Sequence, residues 1–261
     1  MVFASQASTI VGTYAEVNAI YTNQFISGLG NEFITLTAPL TVAQANTLAA
    51  QTTGAITATI SDGDMVTLAG LTDTGNAYTV TVTDTSVAAA ALNTLNSKTT
   101  VPITVTSTTI NGTFADINTV YAAGAAGTIT GLGNEAITIS APLTVAQANI
   151  LAAQTTGVVT ATISDGDMAT LAVLNETGNA YSITITDASV SASALNTLNS
   201  KTTTDLTLNS STITGTAADL ITVYAATGTI DGLGNEAVTI TDTTINASAL
   251  ITLDGFTSGI I

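Results

Sequence analysis

Six aspartates stand at matched places in two stretches of this chain. They are Asp62, Asp64 and Asp84 in SDGDMVTLAGLTDTGNAYTVTVTD, and Asp165, Asp167 and Asp187 in SDGDMATLAVLNETGNAYSITITD. Aligning Ile60 with Val82 sets Asp62 and Asp84 side by side on neighbouring strands, about 5 Å apart, with Asp64 on the same corner. Carboxylates that close repel one another unless they take up a proton or a cation, and hard oxygen ligands suit calcium. Calcium is therefore the chemical expectation for these six. The plainer alternative is that they are turn and helix-capping residues, Asp-Gly-Asp being a natural turn.

A second candidate is the pentapeptide GLGNE, which occurs at residues 28–32, 131–135 and 232–236. It lacks both the dinucleotide-binding glycine fingerprint and the lysine of a phosphate loop. Its glycines are expected to make a tight corner from helix into strand, with the Asn bonding the local backbone. Spaced about four units apart, Glu32, Glu135 and Glu236 would lie about 20 Å from one another and could share no metal. They are expected to be separate surface charges without partners.

Composition removes most other chemistry. The chain has two basic and 18 acidic residues, a formal charge of -16, and no His, Cys or Trp. No Ser-His-Asp or Cys-His nucleophile, histidine-bound zinc or disulfide framework can be built from such a set. Nucleic acid binding needs Lys and Arg to release counterions, and the only cations are Lys98 and Lys201. A paired-carboxylate hydrolase would have Asp62 with Asp84 as its only candidate pair, so no enzyme is expected. No apolar run reaches the roughly 18 residues of a membrane span, and no membrane insertion is expected. The segment MVFASQASTI has neither the basic region nor the apolar core of a secretory signal.

What positions these residues is a repeat. VGTYAEVNAIY (11–21) returns as NGTFADINTVY (111–121) and TGTAADLITVY (214–224), while APLTVAQANTLAAQTTG (38–54) returns as APLTVAQANILAAQTTG (141–157). Long repeats of about 100 residues thus run over approximately 1–100, 101–203 and an incomplete 204–261, divided into about ten shorter units of roughly 23 to 30 residues. Each unit opens with a period-two run such as Ile183-Thr-Ile-Thr186 and continues into a short amphipathic helix such as the one carrying Leu195 and Leu198. Thr41 with Gln44, Thr144 with Gln147, and Thr13 with Glu16 read as capping boxes, and Thr113 with Asp116 and Thr216 with Asp219 place an acid in the first turn. Gly54, Gly157 and Gly259 fall where a left-handed residue ends a helix.

One such unit cannot bury its apolar face alone, so neighbours must stack. The expected fold is a single α/β solenoid over residues 1–261, with strand-turn-short helix units and one parallel sheet. A right-handed parallel β-helix is the alternative, disfavoured because VAQANTLAAQ and VAAAALNTLN are better helix than strand. Thr79, Thr81, Thr83, Thr104, Thr106, Thr138, Thr160, Thr162, Thr184 and Thr186 would tile one uncharged face, an array that resembles the Thr-rich solenoid antifreeze proteins.

Strings such as VNAIY after Gly-Thr, GLGNE and SALNTLNSKT resemble the degenerate repeats of very large secreted bacterial surface proteins of the hemolysin-like and adhesin-like kind. The calcium nonapeptide G-G-x-G-x-D of the repeats-in-toxin family is missing. The resemblance implies an extracellular or cell-surface structural role and assigns no residue a function. The expectation is a non-enzymatic repeat protein of an extracellular filament, surface layer or adhesin, self-assembling through its ends with no cofactor required beyond possible calcium. The competing class is a surface-binding module for ice, glycan or a host surface, using the Thr face.

Overall fold

The computed structural model describes residues 3–261, which form two compact units, residues 3–135 and Ala136–Ile261. Short strands alternate with α-helices throughout both. In the first unit the helices are Tyr14–Tyr21, Val42–Ala49, Met65–Leu68, Ala89–Asn96 and Phe114–Ala125. In the second they are Val145–Ala152, Met168–Leu171, Ala192–Asn199, Ala217–Ala225 and Ala247–Asp254. A β-helix built from strands alone is thereby ruled out.

Among the described residues every strand pairing within each unit is parallel. In the first, Thr9–Gly12, Phe33–Leu36, Ile56–Thr59 and Ala77–Thr79 lie in that order. Thr81–Val82, Ile103–Val105 and Ile129–Thr130 form another sheet, while Ser86–Ala88 pairs with Thr109–Gly112 and Phe3–Ala4 with Ile26–Ser27. In the second unit one series runs Ala136–Ile139, Val159–Thr162, Ala180–Ile185, Leu206–Leu208, Ile230–Asp231, and another runs Ser189–Ser191, Thr212–Gly215, Ala237–Ile240.

The expected single sheet is therefore several. The cause is a corner inside many of the repeated segments: Ile103–Val105 stops, Ser107 turns inward and is buried, and the chain restarts as Thr109–Gly112. Leu206–Leu208, buried Ser210 and Thr212–Gly215 repeat the same break.

The core sits between strands and helices, as period-two and helical spacing require. Ile34 pairs with Ile56 and Val82 with Val105 on the inward face, and Ile183 lies beside Leu206 and Leu206 beside Ile230. Helices close over these rows with spaced apolar residues: Val42, Ala45 and Leu48 are buried, as are Ala192, Leu195 and Leu198. The capping boxes form as expected at Thr13, Thr41 and Thr144. Thr113 and Thr216 each accept from the backbone N–H three residues on and donate to that residue's carboxylate, Asp116 or Asp219, at 2.7 Å.

The helix-ending glycines behave differently from expectation. Gly54, Gly157 and Gly259 are not left-handed. A Cβ on Gly54 would stand 2.2 Å from the Glu32 carbonyl oxygen, and one on Gly259 would stand 2.0 Å from that of Glu236. Glycine is needed at these two places because one corner of the chain rests on the backbone of another.

Candidate functional site: buried carboxylates and capping aspartates

The three GLGNE glutamates are core residues, which corrects their expected place on the surface. Alternation accounts for it: Glu32 shares parity with inward Ile34, Glu135 with Ile137 and Glu236 with Val238. Glu32, Glu135 and Glu236 are at most 1% exposed. Each meets a tyrosine from the preceding helix. The hydroxyl of Tyr21 donates to Glu32 Oε2 at 2.8 Å, that of Tyr121 to Glu135 at 2.9 Å, and that of Tyr224 to Glu236 at 3.1 Å.

The glycines make the same carboxylate reachable from the backbone. Gly30, Gly133 and Gly234 hold φ of 129°, 119° and 113°, and their N–H groups donate to the same Oε2 at 2.8, 2.9 and 2.9 Å. For Glu32, burial pushes the carboxyl pKa up, but hydrogen bonds from Gly30, the local backbone and Tyr21 outweigh it and hold the group below its usual 4.5. Reciprocally, burial and the Glu32 carboxylate push the Tyr21 hydroxyl up to about 12.

A second corner then docks on the first. Thr52 donates its hydroxyl to the Glu32 carbonyl at 2.8 Å, Thr53 N–H donates to the Gly30 carbonyl at 2.9 Å, and Gly54 packs against Glu32. Thr257, Ser258 and Gly259 do the same to Glu236 and Gly234. Sequence carried a signal for this arrangement: each Glu is preceded by a Tyr, 11, 14 or 12 residues upstream.

The six candidate aspartates are placed as helix caps. Asp62 accepts from the N–H of Val42 and Asp84 from that of Met65, both at 2.7 Å. Asp165 and Asp187 do the same for Val145 and Met168 at 2.7 and 2.8 Å. In all four the carboxylate reaches back 19 or 20 residues to the first turn of an earlier helix. Asp64 and Asp167 cap their own helices through Thr67 and Thr170 N–H, and those bonds lower their carboxyl pKa. Asp242 adds a further case, accepting from Ala217 N–H at 2.6 Å.

The expected alignment is off by two residues. Thr59 pairs with Thr79 and Ile60 N–H donates to the Thr79 carbonyl, which sets Ile60 beside Val80 and not Val82. Asp62 and Asp84 are therefore not opposite one another. Among the described residues no group of three or more acidic side chains is gathered to hold a metal ion.

If capping is the role of these carboxylates, Asp84→Ala should lower stability by about 1 kcal/mol, within a usual range of about 0.5–2. Thermal unfolding of the parent in chelator and in excess calcium should then give the same midpoint. A rise of several degrees with calcium would assign these residues to a cation instead.

The two cations are also engaged. Lys98 Nζ donates to the Thr72 carbonyl at 3.1 Å and Lys201 Nζ to that of Asn175 at 2.9 Å. Asn93 and Asn196 donate side-chain amides to the Asp116 and Asp219 carbonyls of the following helices, each at 3.0 Å. The ten threonines of the expected face are all exposed, and Thr81, Thr104 and Thr130 stand in register across three strands. The array is interrupted where Thr57 meets Ala77, Thr160 meets Ala180 and Thr207 meets Asp231.

Stability should form a plateau in pH. Burial, with Asp73 or Glu176 nearby, pushes Tyr78 and Tyr181 up to about 12, and burial beside Glu236 raises Tyr224 further. A tyrosine whose folded pKa is raised contributes fully below its unfolded value of about 10, and that contribution is lost as pH climbs through 12. Glu32, Asp64 and Asp167 are lowered, so their contributions hold above about 4.5 and are lost as pH falls through the depressed values. Thermal midpoints measured from pH 2 to 12 should be flat from about pH 5 to 9.5 and fall on both sides.

No family model, curated protein or solved structure matches this chain. The geometry of its own repeats is what bears on its role.

Proposed function

We propose that this is a non-enzymatic structural repeat protein, an α/β solenoid whose stacked units supply length and stiffness and which self-associates end to end. An extracellular filament, surface layer or adhesin of a bacterium is the setting that the repeat texture suggests. The observation that carries the reading is how the chemically capable side chains are used. Asp62, Asp84, Asp165 and Asp187 cap helices of preceding segments, Lys98 and Lys201 bond preceding carbonyls, and the GLGNE carboxylates hold corners together. These side chains serve as staples between successive segments.

Sedimentation velocity over a range of concentrations tests the reading. Mass should grow with concentration into an open series of species, since head-to-tail contacts that do not close give linear polymers. A single monomer boundary throughout would overturn it.

The second reading, a surface-binding module, is favoured by the in-register row Thr81, Thr104 and Thr130. Changing Thr81, Thr104 and Thr184 to glutamate separates the two. Assembly should persist, because all three residues are exposed. Loss of adsorption to ice or glycan surfaces in that variant would establish the binding role.

A further inference from the structure

The corner around Glu32 contains buried oxygen atoms that no group of the chain satisfies. Glu32 is 1% exposed, and its Oε2 takes two donors, the Tyr21 hydroxyl and the Gly30 N–H. Its Oε1 is buried and accepts no hydrogen bond. The side-chain Oε1 of Gln51 is buried too and accepts none.

Both oxygens belong to one corner. Gln51 precedes Thr52, whose hydroxyl bonds the Glu32 carbonyl, and the Gln51 backbone carbonyl lies 3.9 Å from where a Cβ on Gly30 would stand. The Gln51 amide donates to Asn18 Oδ1 at 3.2 Å, while Tyr21, three residues along the same face of that helix, bonds Glu32.

The third GLGNE corner closes without this amide pair. Tyr224, Glu236 and Thr257 repeat the bonds of Tyr21, Glu32 and Thr52, yet Ile221 stands where Asn18 stands and Phe256 where Gln51 stands. Asn18 and Gln51 are therefore not what folds the corner, and a second use for them is open.

Two buried acceptors without a donor need one from outside the chain, or a cation. The protein's only two cations are committed elsewhere, Lys98 to the Thr72 carbonyl and Lys201 to that of Asn175. One carboxylate and one amide are too few for calcium, which takes about six to eight oxygens and is bound mainly through several carboxylates. A water molecule would satisfy both lone pairs but leave a buried carboxylate without a counter-charge, whereas a monovalent cation supplies both.

We infer that the Glu32 corner binds a monovalent alkali cation between Glu32 Oε1 and Gln51 Oε1. Asn18 is the positioning residue: by holding the amide nitrogen it presents the amide oxygen to the ion. The third corner, with one such oxygen and an aromatic neighbour, binds none.

Amide hydrogen exchange of the whole chain tests the site, in potassium chloride and in tetramethylammonium chloride at equal ionic strength. The organic ion is too large to enter. With potassium at about ten times its Kd, exchange over residues 28–54 should be about tenfold slower than in the organic salt. Exchange over residues 232–259 should be the same in both. Gln51→Leu should lose the difference at 28–54, and so should Asn18→Ile with Gln51→Phe, the pair that the third corner folds with. Equal exchange at 28–54 in the two salts would mean that no cation is held there. Equal slowing at both corners would mean that potassium acts on the fold in general. A difference that persists in both variants would remove Gln51 as a ligand, and each of these three results overturns the site.

Discussion

Glu236→Ala should destabilise the second unit by roughly 3–5 kcal/mol, a large share of the roughly 5–15 kcal/mol that holds a domain together. The substitution removes the acceptor of two buried donors, the Tyr224 hydroxyl at 3.1 Å and the Gly234 N–H at 2.9 Å. A hydrogen bond to a charged group is worth about 1.5–3 kcal/mol, and a buried donor left unpaired costs about 1–3. The emptied space adds to the loss. Glu236→Gln keeps one acceptor oxygen and should cost less, about 1–2 kcal/mol. Tyr224→Phe deletes the hydroxyl while keeping the ring stacked on Phe256, 5.4 Å between centroids. Measured by denaturant titration, the double-mutant cycle of Tyr224→Phe with Glu236→Gln should return a coupling of about 1–3 kcal/mol. Additive effects would mean that the carboxylate acts independently of the tyrosine.

Gly131→Ala is the second large effect expected. At φ 87° an L-residue is strained, and its Cβ would stand 2.1 Å from the Val105 carbonyl oxygen, inside any permitted contact. Backbone must move against a packed strand, and a loss of about 3 kcal/mol or more follows from strain plus overpacking. Gly127→Ala is the control. Its φ is 76°, but nothing lies within 4 Å of the added carbon, so only the conformational cost of about 1 kcal/mol applies. Equal costs in denaturant titration would show that approach of the neighbouring chain does not matter at the GLGNE corner.

The sequence made the local elements plain and hid the long-range ones. Thr41 with Gln44 and Thr144 with Gln147 could be read as caps because a capping box is satisfied within four residues. The alternating runs announced strands, and their repetition announced parallel neighbours. Register was another matter. A slip of two residues leaves every inward side chain inward, so alternation could not tell Ile60 beside Val80 from Ile60 beside Val82. The bonds from Ile60 N–H to the Thr79 carbonyl and from Met65 N–H to Asp84 decide between them.

The glutamates depart from expectation for a physical reason of another kind. Carboxylates are almost never buried unless paired, so residue type places Glu32 at the surface despite its sharing parity with Ile34. The partner that permits burial, Tyr21, comes from the preceding helix and is invisible to a reading of the pentapeptide alone. Gly54 is a similar case. Its place after a helix suits a left-handed cap, whereas the constraint is the Glu32 carbonyl more than 20 residues away in sequence.

The proposed function requires the repeated segments to stack and the stack to continue from one molecule to the next. Negative-stain imaging of the purified 261-residue chain, at rising concentration, tests it most directly. Linear assemblies that lengthen with concentration are the predicted result. Isolated particles of one size at every concentration would contradict it.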